Sequence, residues 1–310
     1  MQGSAMFPGI AVFGSANMDL VVRVDSPPHP GETIFGDSFA TIAGGKGLNQ
    51  AVAAARAGAA VRFIGCVGED AFGDQLISIM DSEGIGRRAL RRVPGATGTA
   101  HITVDSAGQN SIIVVSAANS HVTAADFTNG STDGLGWLVT QLELPQPAVR
   151  GALAHARSRG VRTVLTPAPA SRLPEDLLGT VDLLVPNQFE AAVLTGESDP
   201  RVAAAVLSRV CGDVVVTLGG DGAVWARGGQ VMAHVPGRSV SVVDTTAAGD
   251  TFVGVLVAEC ASGAGVREAL EASTAAAAIA VGRPGATASM PSATEIDHAL
   301  GRPAQPGLRR

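Results

Sequence analysis

Short apolar runs bounded by glycine, proline and small polar residues recur along the chain at strand length. They fall at Ile10–Phe13, Leu20–Val24, Val61–Gly65, Ala100–Val104, Ser111–Val115, Leu138–Leu142, Val161–Leu165, Leu183–Val185, Val214–Thr217 and Val240–Val243. Between many of them lie alanine-rich stretches that read as helices: Leu48–Ala57, Phe72–Ser82, Pro147–Arg157, Glu190–Thr195, Ala203–Val210, Thr251–Ala261 and Val266–Val281. From about residue 136 onward strand and helix alternate, which predicts right-handed βαβ units on a parallel sheet. Residues 20–42 and 97–116 break that rhythm, because they carry strands with no helix between them. Parallel neighbours need a crossover, so these strands are expected to form a small antiparallel sheet over one end of an α/β domain. Such a lid would keep water from a reacting group.

The bulk properties narrow the function. The 310 residues, 46% hydrophobic and 16% charged, suit one folded domain with a large core, here read as a single domain over 1–310. A net charge of −6 without a long basic run gives no footprint for nucleic acid or an anionic membrane. Tyrosine is absent and there are only 2 tryptophans, Trp137 and Trp225, too few for a base-stacking platform. The 3 cysteines, Cys66, Cys211 and Cys260, are far apart with no CxxC spacing, which fits reduced thiols in the cytoplasm. Met1–Pro8 lacks the basic start and apolar stretch of a signal peptide, and Met1–Ala5 reads as a leader or added segment. The longest apolar run, Ala275–Val281, is far short of the roughly 20 residues a membrane span needs. A soluble, cytoplasmic protein is expected, with a polar, frayed tail at Gly301–Arg310. The single lysine, Lys46, lies in a glycine-rich loop.

Six places could carry chemistry. In Val243–Phe252, the sequence Asp244-Thr245-Thr246-Ala247-Ala248-Gly249-Asp250 joins a strand to an apolar helix. A helix N-terminus exposes unpaired N–H groups and partial positive charge, so it suits an anion. Small residues at 247–249 let a phosphate approach, and Asp250 could take a proton from an attacking hydroxyl. An ordinary N-cap aspartate is the alternative. Ala43–Ala51 holds Gly44-Gly45-Lys46-Gly47 and Asn49 ahead of a helix, without the GxxxxGK[ST] of a P-loop. Its glycines allow close approach to a polyol, or form a simple turn. Asn17 and Asp19 follow the first strand, where open α/β sheets bind ligands, and suit vicinal hydroxyls or an Asx turn. Asn187 and Glu190 share a helical face and could order the waters of a magnesium ion, or form a capping box. Thr217-Leu218-Gly219-Gly220-Asp221-Gly222 could follow a nucleotide, or be a hairpin turn. Glu143, at a strand end, could contact a sugar or be merely solvated.

The order of these motifs resembles the PfkB family of carbohydrate kinases, in its ribokinase branch, over essentially the whole chain. The residues that carry the resemblance are 14–20, 30–33, 44–59, 141–143, 167–170, 186–191, 217–222, 243–252 and 275–286. The family's C-terminal signature usually reads DTxGAGD; here Ala247 takes the place of its first glycine, as in the ribokinase branch. The resemblance implies a three-layer α/β/α domain with a central, mainly parallel sheet and a small β-sheet lid. It implies transfer of a phosphoryl group from ATP to the O5 of D-ribose or a relative. Asp250 would be the base, with the 247–250 amides, including those of Ala247, Ala248 and Gly249, as the anion hole. Asn17, Asp19, Gly45, Lys46, Gly47, Asn49 and Glu143 would meet the sugar. Asn187, Thr217, Leu218, Gly219, Gly220, Asp221, Gly222, Gly249 and Thr274 would meet the nucleotide, and Glu190 the magnesium through water. Asp244, Thr246, Ala280, Arg283, Gly285 and Ser289 would hold an activating potassium ion, mostly through carbonyls. A homodimer through the lids is also implied. Thr166, Val253, Thr274 and Pro284 depart from the residues usual in the family. 2-Deoxyribose, another pentose, a hexose or a nucleoside remains an alternative substrate, and a non-catalytic sugar-binding regulator an alternative role.

Overall fold

A computed structural model describes residues 8–130 and 132–303. The leader reading at Met1–Ala5 and the tail from residue 304 lie outside them. The strands are β1 (Gly9–Phe13), β2 (Asn17–Arg23), β3 (Ser38–Gly44), β4 (Val61–Gly68), β5 (Gly86–Val93), β6 (Gly98–Val104), β7 (Asn110–Val115), β8 (Leu135–Gln141), β9 (Arg162–Thr166), β10 (Leu183–Leu184), β11 (Asp213–Thr217), β12 (Ala223–Arg227) and β13 (Gln230–Val235). The helices are α1 (Lys46–Arg56), α2 (Ala71–Ser82), α3 (Ala124–Thr128), α4 (Gln146–Ser158), α5 (Glu175–Leu178), α6 (Gln188–Thr195), α7 (Pro200–Leu207), α8 (Ala248–Ala261), α9 (Val266–Val281) and α10 (Ala293–Ala299).

Nine strands form the main sheet in the order β13-β12-β11-β10-β9-β8-β1-β4-β5. All run in one direction except β12, whose antiparallel pairing with β11 and β13 closes one edge. Alternate side chains feed two cores, as a pleated strand requires. Ile10 and Val12 enter one with α1, α2, α8 and α9, whereas Ala11 and Phe13 enter the other with α4 and α7. The same alternation recurs in β11, where Val215 faces the first core and Val214 and Val216 the second. Both faces are therefore covered by helices, which is why β1 and β11 read as unbroken apolar runs. Within the described residues no helix is long and apolar enough to cross a membrane.

The lid is a separate sheet in the order β3-β2-β6-β7. Its outer pairs are antiparallel, but its central pair, β2 with β6, is parallel. The expectation of a purely antiparallel lid is corrected here. The crossover a parallel pair needs is supplied by the main domain: the chain leaves β2, passes through β3, α1, β4, α2 and β5, and re-enters the lid at β6 in the same direction. The strand expected at Val240–Val243 is also corrected. Those residues are irregular, with Val242 and Val243 63% and 61% exposed, and they pair with no strand. Strands β3, β5, β12 and β13 escape the apolar pattern. β5 reads GRRALRRV because it is the sheet's terminal strand, where charged side chains protect an open edge.

Candidate active site

Four chain segments meet where the lid joins the body: the β1–β2 turn, the β3–α1 turn, the end of β8 and the start of α8. Gly45 caps α1 at φ 87°, a left-handed conformation that favours glycine. A Cβ there would stand 2.7 Å from the Asn17 nitrogen, so the turn packs directly on β2. Gly47 is needed for packing too, since its Cβ would lie 2.6 Å from the Ser15 nitrogen. Gly44 makes room for Asp19, whose carboxylate oxygen would be 2.3 Å from an added Cβ.

The Asp250 carboxylate is buried at the first turn of α8 and receives two side-chain amides. Asn49 Nδ2 donates to Oδ2 at 3.0 Å, and Gln50 Nε2 donates to Oδ1 at 2.9 Å. Asn49 Oδ1 is left buried without a hydrogen-bond partner, so it is placed to accept from a ligand hydroxyl. Lys46, Glu190 and Asp19 all interact electrostatically with Asp250. The field of Asp250 is the main influence holding the Lys46 ammonium charged, and it outweighs burial. Burial, then Glu143 and Asp250, push the Asp19 carboxyl up to about 7. Glu143 accepts from Ser15 Oγ at 2.5 Å and from the Lys46 backbone N–H at 3.1 Å, tying the two turns together. Asn17 Oδ1 accepts from Asn119 Nδ2 at 2.7 Å, which fixes the Asn17 amide from behind.

The start of α8 is strained in a telling way. Ala247 sits at φ 58°, a left-handed conformation that costs a residue with a Cβ about 1–2 kcal/mol. As first-turn groups, the N–H groups of Gly249 and Asp250 lack a helical carbonyl four residues back. The Ala248 N–H leans on the Thr245 carbonyl at 3.3 Å, a long bond that an anion could replace. An added Cβ at Gly249 would meet nothing within 4 Å, so the approach is open.

Beside these amides opens a cavity of about 590 Å³ lined by Thr217, Gly219, Gly220, Gly222, Gly249 and Thr274. That volume lies in the range of sites for small molecules and cofactors. Thr274 Oγ1 is buried and has no partner of its own. Leu218 and Asp221 shape the turn without lining the cavity: the Leu218 N–H donates to the Gly222 carbonyl at 2.8 Å. Asn187 and Glu190 also stand outside the lining and form the capping box of α6, each side chain accepting the other's backbone N–H at 2.8 Å. Burial first, and then the field of Asp250, raises the Glu190 carboxyl, against the opposing effects of the Asn187 N–H and Lys46.

Two further loops are joined by one carboxylate. Asp244 accepts the Thr246 N–H at 2.9 Å and the Gly285 N–H at 2.9 Å. Burial pushes its carboxyl up, but these hydrogen bonds prevail and hold it below the ordinary range. Arg283 is drawn away to Glu295 at 2.6 Å, while the Ala280 carbonyl accepts the Arg283 N–H at 3.0 Å. Ser289 Oγ donates to the Ala286 carbonyl at 2.8 Å.

Sequence reasoning missed Gln50, Gln141, Ser15 and Asn119, and the segment Gly237–Val242 that walls the cavity. Gln50 was adjacent to a residue singled out, but α1 is buried from Gly47 to Ala54, so helix phase does not pick it out. Asn119 follows the lid in a run with no motif, and nothing local marks it.

Comparison with known proteins shows similarity to carbohydrate kinases along most of the chain. Residues 8–293 match the pfkB family of carbohydrate kinases. A ribokinase of Schizosaccharomyces pombe is 39% identical over 307 residues, covering 93% of this chain and 96% of that one. A deoxyribokinase of Salmonella typhimurium is 34% identical, covering 94% and 98%. The structure of an Arabidopsis thaliana ribokinase complexed with ribose and ATP superposes with a TM-score of 0.87 at 31% identity, covering 95% and 99%.

Proposed function

The chain belongs to the pfkB family of carbohydrate kinases, and from that premise we propose that it transfers the γ-phosphoryl group of ATP to O5 of D-ribose. The observation that carries the reading is the position of Asp250. Its carboxylate is the point at which the hydroxyl-binding residues of the lid side meet the helix N-terminus bordering the cavity.

The sugar lies among Asn17, Asp19, Gly45, Lys46, Asn49 and Glu143. Its O5 hydrogen faces Asp250, which takes the proton as O5 forms its bond to the γ-phosphorus. The bond from that phosphorus to the β–γ bridging oxygen breaks, and ADP leaves with the electron pair. The N–H groups of 247–250 meet the charge on the transferred group, so the chain supplies positioning and electrostatics with no covalent step of its own. The nucleotide occupies the 590 Å³ cavity, with its base toward Thr274. Glu190 would lie near a magnesium ion bound with the nucleotide, which would supply charge neutralisation to the phosphates.

Asp244 ties Thr246 to the 280–286 loop through the Gly285 N–H, and Ser289 donates to the Ala286 carbonyl of that loop; oxygens of these two loops would hold a monovalent cation. Potassium there would stiffen the loop that leads into α8. The exposed apolar face of the lid, with Phe39 64% and Ile113 70% exposed, suits a second copy of the chain.

The test is a coupled ADP-release assay with MgATP and potassium over ribose, 2-deoxyribose, fructose and adenosine. Preferred turnover of ribose supports the reading. Preference for 2-deoxyribose, the activity carried in the name of one relative, replaces the substrate and keeps the mechanism. Ribose binding without turnover would instead indicate a regulator.

A further inference from the structure

Asp250 has a buried polar chain behind it that reaches across the sheet. A carboxylate only accepts hydrogen bonds, so Gln50 must present its NH2 to Asp250 Oδ1, at 2.9 Å. That turns Gln50 Oε1 the other way, where it accepts from Gln141 Nε2 at 2.6 Å. Gln141 must in turn point its own oxygen away, and Gln141 Oε1 ends buried without a partner. It lies against Gly14, whose added Cβ would be 2.5 Å from that oxygen. The second Gln50 N–H reaches Thr166 Oγ1 at 3.4 Å.

Every member of this chain has one permitted orientation, set by the charge at its end. Both glutamines are at most 1% exposed. An orphaned buried acceptor costs roughly 1–3 kcal/mol, so the chain is not explained by stability alone. Leucine at 141 would remove that orphan but would strip Gln50 Oε1 of its donor.

We propose that Gln50, oriented by Gln141, is a positioning residue that holds the Asp250 carboxylate at the angle from which it takes the sugar proton. The inference rests on Asp250 being the base. Asn49 fixes the other oxygen, so together the two amides prevent rotation about the terminal bond and leave one lone-pair direction for the substrate. The charged groups around Asp250 are Lys46 from α1, Glu190 from α6 and Asp19 from β2. Replacing either glutamine alters none of them.

The experiment compares wild type, Gln50→Leu and Gln141→Leu. It measures kcat and KM, sugar affinity by calorimetry, and Tm. Expected for Gln50→Leu is a loss in kcat of about 10–100-fold, part of what a well-placed general base contributes. Sugar affinity should change less than about threefold, so the loss falls on kcat and not on KM. Gln141→Leu should lower kcat in the same way but by less, since Gln50 is then free to turn. Unmoved kcat with only Tm lowered, or sugar affinity lost in step with kcat, overturns the proposal. If Gln50→Leu does not fold, Gln141→Leu decides on the same criteria. A wild type that turns over no sugar overturns the kinase reading itself, a result separate from any loss caused by the substitutions.

Discussion

Asp250 and its two amide donors lie on different helices, so the distance between α1 and α8 sets the geometry of the base. Gly254 lies one turn beyond Asp250, on the same face of α8. A Cβ there would be 2.5 Å from Ala53 Cβ, 2.6 Å from the Gln50 carbonyl oxygen and 2.8 Å from the Ala54 nitrogen. Two of these are backbone atoms, and an alanine methyl has no rotamer to escape into. Restoring contacts of about 3.5 Å means parting the helices by roughly 1 Å. The Asn49 and Gln50 bonds to Asp250, 3.0 and 2.9 Å, would stretch beyond useful hydrogen-bond length. For Gly254→Ala, better helix propensity contributes about 1 kcal/mol, while overpacking costs about 1–3 kcal/mol. The net loss is about 1 kcal/mol, near the middle of those ranges, or a fall in Tm of about 1–2 °C for a chain of this length. The loss in kcat should be larger than that instability implies, about tenfold or more, as for other displaced catalytic groups. Thermal melts and steady-state kinetics on the same preparation check both. A variant with unchanged or higher Tm and normal kcat would refute the claim that Gly254 sets the spacing.

Asp250→Asn should abolish turnover by about 10³-fold or more while calorimetry still detects sugar binding. Asp19, at about 7, is neutral below that pH. If sugar hydroxyls donate to its charged form, binding releases a proton, so sugar KM should rise up to about tenfold per pH unit as pH falls below 7. In Asp19→Asn that dependence should vanish, and a flat wild-type profile between pH 5.5 and 8 would contradict the assignment. Activity should be higher in potassium than in tetramethylammonium at equal ionic strength, and equal rates would remove the cation from the account. Light scattering should show a dimer that Ile113→Lys converts to monomer; a wild type that stays monomeric across concentrations would refute the lid interface.

Much of the fold was legible because burial on both faces leaves a plain signature. β1, β4, β8, β9 and β11 are apolar runs, and all are internal strands. The edge and lid strands were harder. β3 reads SFATIAG and is exposed over most of its length, so no period-two pattern was imposed on it. Val240–Val243 shows the opposite error, with an apolar pattern in a segment that walls a cavity. In the site, motifs brought out Asp19, Lys46, Asn49 and Asp250, which gather around one carboxylate. They did not bring out those that hold them. Gln50, Gln141 and Asn119 act through contacts 91 to 200 residues apart in sequence, and a glutamine at a strand end has no local mark of the carboxylate it serves.

The parallel pairing of β2 with β6 also bears on how the protein is made. Asn17 pairs with Gly98, so the centre of the lid cannot close until the whole of α1, β4, α2 and β5 has emerged from the ribosome. β1 in turn takes its second neighbour, β8, only after the last lid strand has been synthesised. The nascent chain therefore carries all four lid strands, with their exposed valines and isoleucines, before the body that anchors them is complete. Slow, non-local strand pairing of this kind exposes edges to aggregation. The time-critical stage of biogenesis is thus the interval between residues 115 and 250, and slower synthesis across it lengthens the exposure of the lid.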